Sequence, residues 1–182
     1  MSADRGVDES SRSDEPDDSD EPRVVVLGVG NVLMTDEGVG PAVVAFLDER
    51  WDLAGSGVRL VDGGTSGMDL VELFAGDRPV VVVDAVLAGE KPGAVFRVDP
   101  DDVPPGTALP LTAHDVGFLD AWRLAQSLGM VAELTIIGVQ PADVQTPHTG
   151  LSDPVAACLP QVEQVVLEEL ARLGVHPRRR PS

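Results

Sequence analysis

Three separated segments carry residue types that can do chemistry together. Asp36 and Glu37 stand side by side in the Gly-rich stretch Gly28 to Pro41, Asp84 closes the apolar run Val80 to Val83, and His114 lies in Leu111-Thr-Ala-His114-Asp115-Val-Gly117. A carboxylate from each of two loops plus one imidazole makes an O,O,N donor set for a borderline divalent ion, with positions left for substrate and water. Each member also has an ordinary structural use. Acids near a helix start are favoured by its dipole, a carboxylate after a strand can cap a turn, and a lone histidine often caps or faces solvent. Residue type and spacing leave both readings open.

Other chemistries lack their residues. The Gly28 to Gly40 segment invites a dinucleotide-binding reading, but G-x-G-x-x-G requires glycine where the chain has Leu33. A phosphate loop fails too: no Gly-Lys-Ser/Thr follows, Lys91 is the only lysine, and Asp36 and Glu37 would repel a phosphate beside the helix start. There is no H-E-x-x-H helix and no G-x-S-x-G elbow. Cys158, the single cysteine, falls in an apolar helical stretch and reads as a small buried residue. His148, in Gln145-Thr-Pro147-His148-Thr-Gly150, is expected to flank the site, and His176 belongs to the C-terminal tail.

The elements that must position these groups are legible from apolar period. Arg23 to Gly28, Pro79 to Asp84 and Leu134 to Val139 are nearly unbroken β-branched runs, the mark of strands buried on both faces. Val58 to Asp62 and Ala94 to Val98 are shorter, partly alternating, and suit the sheet edges. Between them, Val43, Phe46 and Leu47, with Trp51 a turn further on, share one helical face after Pro41 at the first helical position, with Gly40 as cap. A short helix is expected over Gly67 to Ala75 and another from about Asp115 to Gly129, with Phe118, Trp122, Ala125 and Leu128 on one side. The last helix starts at Ser152 or Asp153 and presents Val155, Leu159, Val162, Val166, Leu170 and Leu173, with a kink expected at Pro160. Strands alternating with amphipathic helices predict a three-layer α/β domain: a twisted, five-stranded, mostly parallel sheet with helices on both faces. Sites in such sheets gather where strands end and helices begin, which is where Glu37 and Asp84 fall.

Of 182 residues, 31 are Asp or Glu and 13 are Lys or Arg, a formal net charge of −18 that argues against nucleic acid as a partner. Residues 1–22 hold nine acids and two bases and read as a disordered acidic tail, leaving about −11 on the rest. Residues 23–174 form the single predicted domain, and 175–182, ending in His-Pro-Arg-Arg-Arg-Pro-Ser, read as a flexible basic tail. One cysteine, no leader pattern and no apolar run near the ~20 residues of a membrane span point to a reducing cytoplasm. The oligomeric state is open, a monomer included.

Five fragments in register then acquire a common meaning. Gly28-Val-Gly-Asn-Val-Leu-Met-Thr-Asp-Glu-Gly-Val-Gly40, Asp62-Gly-Gly-Thr65-Ser-Gly67-Met, Val83-Asp84-Ala85, Thr112-Ala-His114-Asp-Val-Gly117 and Gly138-Val-Gln-Pro141 resemble, in that order, the hydrogenase maturation endopeptidases. The resemblance spans roughly residues 23 to 174. It implies an enzyme that trims the C-terminal extension from the large-subunit precursor of a nickel-iron hydrogenase. It implies that Glu37, Asp84 and His114 contact nickel, that the nickel arrives with the precursor, and that Asp62, Gly63, Gly64 and Thr65 form a turn approached by substrate backbone. The ion is then the recognition device. It is expected to polarise the scissile carbonyl or to lower the pKa of a water while Glu37 or Asp36 takes a proton, and a metal-bound nucleophile and a carboxylate-activated water both stay open. Two other classes stay open: a binding-only paralogue that keeps the ligands, and a Rossmann-like nucleotide-binding protein, against which the missing glycine counts.

Overall fold

The computed structural model describes residues 22–65, 68–74, 78–100, 116–130 and 133–181. In chain order the elements are β1 (Val24–Val29), a 3-10 turn (Thr35–Gly38), α1 (Val39–Arg50), β2 (Trp51–Asp52), β3 (Val58–Gly64), a 3-10 segment (Met68–Phe74), β4 (Val80–Ala85), β5 (Val95–Val98), α2 (Val116–Ser127), β6 (Leu134–Val139), α3 (Asp153–Arg172) and β7 (Arg178–Arg179). Five strands form one sheet in the order β3-β1-β4-β6-β5. All its pairings are parallel except β5 with β6.

Every residue of β1 and β4 is buried, because both faces of the sheet are covered. On one face Val24, Val26, Val81, Val83, Ile137 and Val139 pack against Val39, Val43 and Leu47 of α1 and Val155, Val162, Val166 and Leu170 of α3. On the other, Val25, Leu27, Val80, Val82 and Ile136 meet Leu70 and Phe74 of the 3-10 segment and Leu119, Trp122 and Ala125 of α2. The period-2 alternation of each strand thus divides one apolar run between two cores, and the three-layer expectation holds.

Several local expectations shift. The first helix begins at Val39 with Gly38 as its cap, two residues before the expected start, because the 3-10 turn feeds directly into it. Pro41 becomes its third residue, still in the first turn, where a missing N–H costs no helical hydrogen bond. Trp51 leaves the helix and enters β2. The segment after β3 is a 3-10 helix rather than an α-helix over its described residues, and its expected ends, Gly67 and Ala75, lie outside them. The third helix begins at Val116 and ends at Ser127, inside the expected span, whose first residue, Asp115, lies outside the described residues. Ser152 is the N-cap of α3, and that helix runs unbroken through Pro160.

The basic C-terminal segment does not fray. Val175 is buried in the core, and β7 pairs antiparallel with β2 through Trp51 with Arg179 and Asp52 with Arg178. Arg180 donates from its backbone to the Arg50 carbonyl, from Nε to the Trp51 carbonyl and from a terminal nitrogen to Asp48. A cation at the carbonyl-rich end of α1, beside an aspartate, is favoured electrostatically, so the folded unit extends past residue 174. The expected tail over 1–22 lies outside the described residues except for Pro22. Among the described residues no helix is long and apolar enough to cross a membrane.

Candidate active site

The strand order contains a switch. From β1 the chain moves to β3 on one side, then crosses to β4 on the other, so the loops leaving β1 and β4 diverge at the carboxyl ends of two adjacent parallel strands. That crevice is where open α/β sheets hold ligands. The loop after β1 carries Asp36 and Glu37, and Asp84 is the penultimate residue of β4. The 3-10 turn bearing Glu37 packs against β4, which brings the two segments together.

Both carboxylates are withdrawn from solvent: Glu37 is 4% exposed and Asp84 0%. Asp84 Oδ1 accepts the Ala85 N–H at 2.7 Å. By alternation along β4 its side chain belongs to the same face as Val80 and Val82, the face covered by α2. His114 precedes α2 by two residues in sequence and lies outside the described residues. Among the described residues no three His, Cys, Asp or Glu side chains form a metal-ligating cluster. Glu37 and Asp84 are therefore the part of the expected trio that the described fold carries to the switch point.

A family model described as hydrogenase maturation protease matches residues 41–169. The hydrogenase expression/formation protein HoxM of Azotobacter vinelandii is 40% identical over 156 residues, covering 85% of this chain and 75% of that protein. The chain belongs to the hydrogenase maturation protease family. Its members are peptidases, and the fold agrees. The hydrogenase maturating endopeptidase HybD from E. coli superposes with a TM-score of 0.79 at 32% identity, covering 87% of this chain and 98% of that one. The [NiFe] hydrogenase maturation protease HybD from Thermococcus kodakarensis gives 0.65 at 28% identity, covering 82% and 99%.

In this maturation protease Asp62, Gly63 and Gly64, expected as a turn, are the last residues of β3, with Thr65 following in the turn, and they lie next to the Glu37 loop. Asp62 is exposed and its Oδ1 accepts the Gly64 N–H at 3.0 Å. The Gly64 carbonyl in turn accepts the Gly30 N–H at 2.9 Å, tying the ends of β3 and β1 together. Gly63 is buried, where a Cβ would fall 2.7 Å from the end of the Leu27 side chain, and Thr65 is exposed. A cavity of about 290 Å³ opens between Asp62, Val32, Thr35, Gly38, Ala42 and Leu151. The turn thus borders a small, largely apolar recess next to the residue pair 36–37.

Asp36 is placed differently from Glu37. It is 0% exposed, and both its carboxylate oxygens are engaged by the loop between β6 and α3. In that loop the histidine, His148, is expected to flank the site. Its backbone does so: the His148 N–H donates to the Leu33 carbonyl at 3.0 Å, and its carbonyl accepts the Thr35 N–H at 2.9 Å. The site partners that sequence reasoning missed are Ala142 and Asp143, which contribute backbone N–H groups, and Ser152, read only as a helix start, which contributes its N–H and its hydroxyl. No side-chain pattern announces a backbone donor.

Proposed function

We propose that this protease removes the C-terminal extension of a nickel-loaded hydrogenase large-subunit precursor in the cytoplasm, with the nickel carried by the precursor as part of the substrate. The observation that supports the reading is two buried carboxylates, Glu37 in the turn after β1 and Asp84 near the end of the adjacent β4, in a chain of this protease family. Carboxylates suit a divalent ion of the nickel type, and with His114 they form an O,O,N donor set that leaves coordination positions to the precursor's own ligands.

The ion, when present, supplies Lewis acidity at the scissile carbonyl. The chain's own groups do the rest. Peptide hydrolysis adds a water oxygen to the carbonyl carbon and breaks the C–N bond, and the water's proton ends on the departing amine. Glu37 is the carboxylate we assign to accept that proton and pass it on. Asp84, held by the Ala85 N–H, keeps its position on a rigid strand. The exposed Asp62 turn and the recess beside it receive the polypeptide flanking the bond.

The test is intact-mass analysis of the nickel-loaded large-subunit precursor incubated with the native protease and, in parallel, with His114→Ala. Loss of a C-terminal peptide with the native protein only is the expected result. Cleavage by the histidine variant at the native rate removes His114 from the mechanism. No cleavage of any loaded precursor from the same genome identifies a binding-only protein.

A further inference from the structure

Asp36 has more hydrogen bonds than a helix-start acid needs. Oδ2 accepts the N–H groups of Ala142 at 2.7 Å and Asp143 at 3.0 Å and the Ser152 hydroxyl at 2.8 Å, while Oδ1 accepts the Ser152 N–H at 2.7 Å. Its own N–H donates to the Asp143 carbonyl at 3.0 Å. A carboxylate is acceptor-only, and here the lone-pair directions are largely taken by four donors from one loop. A group so saturated is poorly placed to take a proton from water.

The same loop is fastened around Asp36 on both sides. Thr35 donates from its backbone to the His148 carbonyl and from Oγ1 to the Thr146 carbonyl at 2.7 Å, and the His148 N–H returns to Leu33. Thr35 itself has φ +43°, the left-handed region that a β-branched residue seldom occupies. Strain of that kind persists only where surrounding contacts over-determine it. Asp143 adds rigidity to its own loop: hydrogen bonds from the Thr146 hydroxyl and from the Gln145 and Thr146 N–H groups hold its carboxyl below the usual range. Glu37, one residue further on, inherits its position from this lattice.

We propose that Asp36 is a positioning residue: its carboxylate locks the Glu37 loop to the segment 141–152, and so holds Glu37 at the crevice. The proton acceptor is Glu37 and not its neighbour. Asp36→Asn keeps the size but turns an NH₂ group toward N–H donors, so the lock opens. Hydrogen exchange reads the coupling without any reference to activity. Expected is faster exchange at Ala142, Asp143 and Ser152 and also at Thr35 and His148, whose bonds Asp36 does not make. Loss of protection confined to the first three overturns the proposal.

Cleavage of the loaded precursor supplies the second readout and rests on the proposed function, whereas exchange does not. A native protein that fails to cleave therefore sinks that reading alone. Where the native protein cleaves, Asp36→Asn should lower kcat roughly 100-fold with KM within about twofold, the scale of a misplaced catalytic group. Ser152→Ala, which removes one of the four donors, should fall between. Glu169→Gln, a destabilised control remote from the crevice, should retain native kcat below its melting temperature. A native kcat for Asp36→Asn, with only its melting temperature lowered, makes Asp36 a brace for the fold and overturns the proposal. If Asp36→Asn does not fold, the exchange and kcat of Ser152→Ala decide, and native values of both overturn it.

Discussion

Gly28 and Gly40 face each other where β1 meets α1, and a Cβ built on Gly28 would fall 2.3 Å from the Gly40 carbonyl oxygen. Gly40 is crowded in turn by the strands: a Cβ on it would fall 2.2 Å from the Val29 carbonyl oxygen and 2.5 Å from that of Val83. The helix therefore lies directly on the ends of β1 and β4. These glycines serve close helix–sheet packing at the switch point, which accounts for a Gly-rich loop that does not follow a nucleotide-binding pattern.

Gly40→Ala should be destabilising by about 3 kcal/mol, at the upper end of overpacking costs because the obstructing atoms are backbone. For a domain of this size that is a fall of roughly 6–12 °C in melting temperature. Calorimetry of the purified variant checks it, and a shift within 1 °C or so would mean that α1 moves away freely. Precursor cleavage should fall as well, since α1 follows directly on the turn bearing Glu37.

Glu169 is the buried charge at the other end of the sheet. It is 1% exposed, ion-paired to Arg97 at 2.8 Å and to Arg172 at 2.7 Å, and accepts the Thr135 hydroxyl at 2.9 Å. Burial pushes its carboxyl up, but the hydrogen bonds from Arg172 and Thr135, with the charges of Arg172 and Arg97, outweigh that and hold it below its ordinary value of 4.5. A lowered folded-state value means stability that is present above pH 4.5 and lost as pH falls through the folded value. Glu169→Gln should cost about 1–3 kcal/mol at pH 7, and the gap to the native protein should close on acidification below pH 4.5. Denaturant melts at pH 7 and pH 3.5 measure both, and a gap that widens in acid contradicts the assignment.

Cys158 sits in α3 with its thiol donating to the Val155 carbonyl, and burial pushes its ionisation up. The thiolate is the reactive form. Iodoacetamide at pH 8 should leave the native protein almost unlabelled while the protein in denaturant gains one adduct, as intact mass will report. Fast labelling of the folded chain would mean that α3 opens locally.

The β2 and β7 pairing predicts that the last residues stabilise the fold. Deleting residues 177–182 removes the Arg180 contacts with Asp48, Arg50 and Trp51, and should cost about 1–2 kcal/mol. Thermal melts of the shortened chain decide it. An unchanged melting temperature would return the segment to the status of a loose tail.

The sequence by itself determined the layers and the five strands of the main sheet, and it set Asp84 at the end of one of them. The reason is local: Val24 to Val29 and Val80 to Val83 have to be buried on both faces whatever their neighbours, and a carboxylate closing such a run has to stand at the strand's end. Tertiary structure alone decided how each acid is surrounded. Asp36 and Glu37 are adjacent and chemically alike, and nothing in residue type distinguishes them. They differ because the segment 141–152, more than a hundred positions away in sequence, aims its backbone N–H groups at one and not the other. The same holds for the basic C-terminus, which composition reads as loose and which β2, the carbonyls at the end of α1 and Asp48 hold in place. Apart from proline, which lacks the N–H, backbone donors and acceptors are alike at every position, so only the fold settles which of them meet.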